Sequence, residues 1–318
     1  VFQMESPGMT GVCVGLKPQN IEDITAIIAL YRPGPMDSIP RFIACKHDPK
    51  LIRYKHPALI PILSVTYGCI VYQEQVIEIF RKLGGYSLGQ ADMVRRAISK
   101  KKAAQIEKER EAFLHGDPER NIAGCVANGI PEETAQAIYQ DIYDFANYAF
   151  NKAHAVSYAV VAYQTAWFKC HYTREYMAAL LTSVLDNSDK VAGYISECRD
   201  CGIALLPPDI NRSTGSFSVE DGSIRYGMAA VKGIGKPVME AIVEERERGG
   251  LFSSLKDFCQ RLSGKEVNKR TIENFIKAGA FDSFGGTRKQ FMMIYVQVMD
   301  TVNQEKKSSM TGQMSLFD

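Results

Sequence analysis

The chain has 318 residues, 46% of them hydrophobic and 23% charged, with 38 Lys and Arg against 36 Asp and Glu for a formal net charge of +2. That length and apolar content supply the cores of two ordinary globular domains and exclude a disordered or fibrous chain. The near balance of charge excludes a global attractive field for nucleic acid, so any such contact has to come from local basic patches and helix termini.

Eight cysteines are scattered without the spacing of a small secreted framework, which suits reduced thiols. Cys198 and Cys201 form a Cys-x-x-Cys, but no second pair or histidine partner stands at ligand spacing, so no metal site is expected. No charged segment leads into an apolar run, and no apolar run reaches spanning length, so no membrane partner is expected and the expected location is the cytoplasm. The opening Val1-Phe-Gln-Met-Glu-Ser lacks an initiator Met and reads as part of a longer polypeptide.

The first expected helix covers Ile21 to Tyr31, with Asn20 as cap and Asp23 in its first turn, and Arg32-Pro33-Gly34-Pro35 stops it. Val71 to Leu83 forms a second, ended by Gly84-Gly85, and Ser87 caps a third through Met93 and Ile98. The third carries Arg95, Arg96 and the run Lys100-Lys101-Lys102, either a solvated face or a basic patch. A charged helix follows over Ala104 to Leu114, and Pro131-Glu132-Glu133 opens the next.

Asn151 caps a long helix from Lys152 to about His171, apolar on most sides and expected to be buried. Its first turn offers orphan N–H groups, and Lys152 and His154 add side-chain donors, a seat for phosphate oxygens. His154, Tyr158 and Thr165 share one stripe, with Asn151 and Tyr148 just ahead of it, which suits a nucleotide cleft. The same residues also fit a plain capped core helix with a satisfied histidine.

Thr173 caps a helix to Leu185, and another runs from Asp189 to Cys201. A domain boundary is expected at Leu205-Leu206-Pro207-Pro208-Asp209. Beyond it, Phe217 to Val219 and Ile224 to Tyr226, joined through Asp221-Gly222, read as a hairpin. Then come a short helix, a Gly233-Ile-Gly235 turn and a helix with Pro237 near its start, an arrangement similar to a helix-hairpin-helix motif. Gly233 and Gly235 let backbone approach a phosphodiester, the following helix aims free N–H groups at it, and Lys232 and Lys236 flank the contact. A tight helical turn with no ligand is the competing reading. A dinucleotide fingerprint is excluded, since Val238 stands where a third glycine is needed and no parallel strand precedes it. Helices are expected over Ser254–Leu262, Lys269–Ala278 and Arg288–Asn303, with a mobile polar tail over about 304–318.

Tyr148-Ala-Phe-Asn-Lys-Ala-His-Ala-Val-Ser-Tyr, followed by Tyr163-Gln-Thr-Ala-Trp, resembles the fingers signature of bacterial DNA polymerase III alpha subunits, the C-family (DnaE-type) replicative polymerases. Tyr31-Arg-Pro-Gly-Pro and Met93-Val-Arg-Arg-Ala-Ile-Ser-Lys-Lys-Lys are similar to other stretches of that family in the same order, and Gln313-Met314-Ser315-Leu316-Phe317 resembles its clamp-binding peptide. The resemblance implies a mainly α fold: a multi-helix fingers domain over 1–207, then a small α+β region over 208–318 with a β-hairpin, a helix-hairpin-helix and the clamp-binding tail.

By the same resemblance Arg95, Arg96, Lys152 and His154 would reach the triphosphate of an incoming nucleotide, with Asn151, Tyr148 and Tyr158 shaping the pocket and Arg32 facing the cleft. Lys232, Gly233, Gly235 and Lys236 would grip the DNA backbone, and Gln313, Leu316 and Phe317 would bind the sliding clamp. Implied partners are template-primer DNA, deoxynucleoside triphosphate, the clamp and other replisome subunits. The family's catalytic aspartates and their Mg2+ belong to a palm upstream. No Asp-x-Asp pair occurs in this sequence, so the chain alone is expected to be inactive. The alternative is a non-enzymatic helix-hairpin-helix DNA-binding scaffold with a partner-docking tail. A Gly-rich loop ending in Gly-Lys-Ser/Thr is missing, which removes a P-loop NTPase.

Overall fold

The computed structural model describes residues 1–99, 103–146, 148–262 and 267–314. It is mainly α-helical and divides into two compact units, Val1–Trp167 and Phe168–Asp318.

In the first unit α1 (Pro7–Leu16) starts on Ser6, whose hydroxyl accepts the Met9 N–H at 3.3 Å. Propensity predicts no helix here because Gly8, Gly11 and Gly15 weaken it. Gly8 has a packing reason: a Cβ there would stand 1.9 Å from the Tyr31 hydroxyl. Helix α2 (Ile21–Leu30) is capped by Asn20 as expected, its side chain accepting the Asp23 N–H at 2.9 Å. There follow α3 (Ile39–His47), α4 (Ile60–Leu63), α5 (Gln73–Gly84), α6 (Leu88–Ser99), α7 (Ala103–His115), α8 (Glu132–Ala146) and α9 (Lys152–His171).

One core joins α1, α2 and α3 to Tyr72, Ala155 and Ala159, and a second is built from α4 to α8. In the second, the Phe80 ring meets Tyr86, Phe113 and Tyr139 edge-on at 5.3, 5.1 and 6.2 Å between centroids. The expectation that α9 is buried needs correcting. Ala155, Ala159 and Ala162 are buried, while Val160, Val161, Tyr163 and Trp167 stand at the surface. Those alanines recur at helical spacing, so one narrow stripe packs closely and the rest of the helix faces outward.

A buried ion pair ties the first three helices together. Lys46 of α3 reaches Asp23 of α2 at 2.8 Å, with the two side chains 5% and 2% exposed. The same ammonium donates to the carbonyls of Leu16 (3.3 Å) and Lys17 (2.8 Å) at the end of α1. Asp23 also accepts from the Gln19 N–H at 2.9 Å and the Tyr67 hydroxyl at 2.7 Å. Burial works to raise the Asp23 pKa, but the hydrogen bonds from Gln19, Lys46 and Tyr67 outweigh it and hold the carboxyl below its ordinary value.

The second unit opens with α10 (Thr173–Ser183) and α11 (Ser188–Asp200), the latter capped by Asn187, which accepts the Lys190 N–H at 3.0 Å. Thr173 does not cap α10; it is the first helical residue, and Tyr172 occupies the cap position without a side-chain bond. Strand β1 (Leu205–Leu206) lies parallel to β3 (Ser223–Arg225), which pairs antiparallel with β2 (Ser218–Glu220) in the order β1-β3-β2. Positive φ at both Asp221 (48°) and Gly222 (79°) forms the tight hairpin turn that the dipeptide predicts. Residues Met177, Leu181, Val191 and Cys198 share a core with Phe217 and Ile224, so α10 and α11 pack on this sheet. Burial pushes the Cys198 thiol up to about 11, which keeps it protonated.

Helices α12 (Lys236–Gly249), α13 (Leu255–Leu262), α14 (Lys269–Ala278) and α15 (Arg288–Met314) enclose another core around Ile242, Phe258, Phe275 and Phe281. The segment before α12 is a short 3-10 turn at Met228–Ala230 and not an α-helix. Helix α15 continues past the expected end at Asn303. Glu305 on it accepts from Lys256 at 3.0 Å and from Gln260 at 3.1 Å, tying the extension to α13.

Replacing Lys46 by Met leaves Asp23 buried without its cation and is expected to destabilise the first unit by about 3 kcal/mol in urea unfolding. Asp23's folded pKa lies below its unfolded one. Its contribution is therefore full above the unfolded pKa and is lost as pH falls through the folded one, from about pH 4 downward. Asp23→Asn should flatten that acid limb.

Candidate functional site

The start of α9 is fixed by α5. Tyr72 and Phe150 form a parallel bridge, with Gln73 N–H donating to the Phe150 carbonyl at 2.9 Å and Phe150 N–H to the Val71 carbonyl at 3.2 Å. Glu74, in the first turn of α5, then accepts the Lys152 N–H at 3.1 and 3.0 Å and the Asn151 side-chain N–H at 3.1 Å. Asn151 caps as expected, its carbonyl oxygen accepting the His154 N–H at 2.8 Å. The expected phosphate seat thus already holds a carboxylate, as its partial positive charge favours. Lys152 is engaged as well: its ammonium meets Glu22 at 3.0 Å and lies 5.4 Å from the Tyr72 ring centre.

A row of rings runs along α9 instead. Phe150 meets His154 at 5.4 Å, His154 meets Tyr158 at 4.4 Å, and Tyr158 meets Phe2 at 5.3 Å. The spacing of four residues places these groups on one helix face. Phe150, His154 and Tyr158, together with Tyr31, Arg32 and Ile28 at the α2 end, line an open cavity of about 440 Å3. Arg32 lies 4.1 Å over the Phe150 ring and donates to the carbonyls of Ala29 (3.1 Å) and Tyr148 (2.7 Å). It anchors the Pro33-Gly34-Pro35 loop to the approach to α9, and burial lowers its pKa without removing its charge. A flat ring can stack on this row, and Arg32 and His154 supply polar groups at its edge.

The other expected nucleotide residues sit elsewhere. Tyr148 lines a different cavity of this unit. Arg95 and Arg96 on α6 both hold Asp92, at 2.8 and 2.7 Å, and Arg96 is the exposed member at 66%. Hydrogen bonds from Arg95 hold the Asp92 carboxyl below its ordinary pKa, with Arg96 adding to the effect. Lys100, Lys101 and Lys102 lie outside the described residues. Glu74 and Glu22 escape the sequence reading, because a carboxylate that fills a helix end has no signature of its own. Phe150 was available from its four-residue spacing to His154.

In the second unit the Gly233-Ile-Gly235 turn has the expected form. Gly233 adopts φ +80°, and a Cβ there would stand 2.9 Å from the Asn274 amide, which donates to the Lys232 carbonyl at 2.9 Å. Gly235 precedes α12 without a side-chain cap, unlike Asn151 before α9. Lys232 and Lys236 are exposed beside them, Lys236 3.5 Å from Glu240. In the expected clamp peptide, Leu316 and Phe317 lie outside the described residues and Gln313 falls in the last turn of α15. Among the described residues no three His, Cys, Asp or Glu side chains gather to hold a metal ion, and no helix is long and apolar enough to cross a membrane.

Glu74→Ala removes the carboxylate from the first turn of α9 and is expected to cost about 1–2 kcal/mol of first-unit stability. Glu74→Gln, which keeps one acceptor, should cost less. Thermal unfolding of the purified chain checks the order.

Comparison with known proteins places these features. Residues 1–121 match the bacterial DNA polymerase III alpha subunit finger domain, and residues 202–291 match a helix-hairpin-helix motif. The whole chain aligns with the DNA polymerase III alpha subunits of Thermus aquaticus (45% identity), Borreliella burgdorferi (44%) and Escherichia coli K12 (43%). It spans 26%, 27% and 27% of those proteins. The chain belongs to the bacterial DNA polymerase III alpha subunit family, as a segment with the finger domain first and the helix-hairpin-helix region after it.

Proposed function

We propose that this chain is the nucleotide- and DNA-gripping part of a replicative DNA-directed DNA polymerase, a nucleotidyltransferase of the bacterial cytoplasm associated with the nucleoid. The observation that carries the proposal is the cavity lined by Arg32, Phe150, His154 and Tyr158, an aromatic row with cationic and polar groups at its edge. The base or sugar of the incoming deoxynucleoside triphosphate stacks there, with Tyr158 and His154 as platform and Asn151 holding the helix start in position. Arg95, Arg96 and Lys152 serve the triphosphate, Lys152 by exchanging Glu22 for phosphate. Tyr148, expected on the nucleoside side, lines the other cavity of this unit and takes no part in this site.

The uncapped start of α12, with Lys232, Gly233, Gly235 and Lys236, takes phosphates of the template-primer duplex and reads no sequence. Gln313, Leu316 and Phe317 dock on the sliding clamp, which connects the segment to other replisome subunits. The metal-holding carboxylates that in-line transfer needs, with their Mg2+, come from polypeptide outside these 318 residues, so the chain does not polymerise alone. The functional boundary of the fingers falls near residue 207, ahead of the hairpin. A non-enzymatic DNA-binding scaffold would use the same α12 turn but gives the aromatic row no task.

The test is steady-state nucleotide incorporation by a full-length polymerase carrying His154→Ala or Arg96→Ala. Each is expected to lower kcat/KM for the nucleotide by about tenfold or more while leaving template-primer binding intact. Unchanged kcat and KM in both variants would overturn the nucleotide assignment.

A further inference from the structure

The first unit holds a second cavity that the nucleotide assignment does not use. It encloses about 420 Å3 between the Gly34-Pro35 loop, the 53–55 segment and α8. Leu59, Leu63, Ile79, Ile138 and Phe145 form an apolar floor, and Tyr54 and Tyr148 face the space from its walls. The Tyr148 ring lies against Gly34, where an added Cβ would meet it at 2.3 Å, and Arg32 holds the Tyr148 carbonyl at 2.7 Å. The ring is therefore fixed in place, although Tyr148 is 44% exposed.

The rim carries charge in a definite balance. Arg41, Arg53 and Lys55 stand against Asp141 and Asp144. Lys55 is neutralised by Asp141 at 2.6 Å. Asp144 accepts one bond, from Gln140 at 2.7 Å, and keeps further lone pairs. Arg41 makes no hydrogen bond or ion pair among the described residues, and Arg53 donates only to the backbone carbonyls of Lys50 and Ile52. Three cations against two carboxylates leave one positive charge, which matches a single phosphodiester and disfavours the several negative charges of a triphosphate.

We propose that this cavity binds one unpaired nucleotide of a single strand, separate from the site lined by His154 and Tyr158. The base stacks between Tyr54 and Tyr148 over the apolar floor, as aromatic platforms for single strands do. Its phosphodiester lies at Arg41 and Arg53, and Asp144 accepts from an exocyclic amino group, which favours adenine or cytosine over thymine. The ligand chemistry is a planar base plus phosphate, and a free nucleotide shares it. The cavity is open to solvent, so a base can enter it while its strand stays outside. The assignment rests on the finger-domain reading of residues 1–121 only in taking the strand to be a template ahead of the primer end.

The experiment places 2-aminopurine in a short oligo-dA and follows its fluorescence with the full 318-residue chain. Binding should quench the probe. Arg41→Ala with Arg53→Ala should weaken strand affinity by about tenfold, Arg41→Lys with Arg53→Lys should restore part of it, and Tyr148→Leu should remove the quench. Oligo-dT should compete less well than oligo-dC. Displacement by free dAMP as readily as by the strand would show a free-nucleotide site and overturn the strand assignment, and unchanged affinity in the Arg41→Ala, Arg53→Ala variant would overturn the site. The polymerase reading fails separately, through nucleotide kinetics of His154→Ala, a residue outside this cavity.

Discussion

The carboxylate of Glu74 sets the geometry of the first unit's candidate site. It fills the opening turn of α9, bonds the Asn151 side chain, and does so from the first turn of α5. Because Tyr72 and Phe150 are bridged just before those two helices, both begin side by side. Every ring from Phe150 to Tyr158 then follows from the helical period, and the direction of α9 decides which cavity each one lines. A helix end left open would be free to fray, so a charge-assisted cap here fixes position as well as stability.

The starts of α9 and α12 differ in a way that bears on their uses. The first turn of α9 is filled by Glu74 and by Asn151, whereas α12 follows Gly235 with no side-chain cap. Both ends carry the same kind of partial charge, but only that of α9 is met by a carboxylate and a side-chain cap. The uncapped start of α12 thus leaves more room for an anion than the filled start of α9, whose surface carries a row of rings. The modest net charge of +2 is consistent with contacts of this local kind.

Much of the fold was legible in the sequence. Asn20, Asn151 and Gly85 marked helix ends that the structure has, Lys152 to His171 was a helix at the stated limits, and Asp221-Gly222 made its turn. Helix α1 was hidden by three glycines whose small size is a packing requirement at Gly8. Strand β1 was hidden because Leu205–Leu206 has only two residues and forms through a parallel partner nearly twenty positions on. Burial of α9 was misjudged because apolar composition does not say which stripe is covered; the small alanines pack and several larger residues do not. At the candidate site, His154, Tyr158 and Asn151 were found from spacing. Arg32 was expected at the cleft through the resemblance, whereas Glu74 and Glu22, the partners that redirect the use of α9, are distant in sequence and became visible only in three dimensions.

The proposed meeting of incoming nucleotide and polypeptide at the opening of α9 can be read by amide hydrogen exchange of a full-length polymerase, with template-primer bound and with or without the next correct deoxynucleoside triphosphate. Nucleotide should slow exchange by about tenfold across residues 150–158 and around Arg32, with little change in α13. Exchange at 150–158 that is indifferent to nucleotide, with protection appearing only elsewhere in the polymerase, would contradict that proposal.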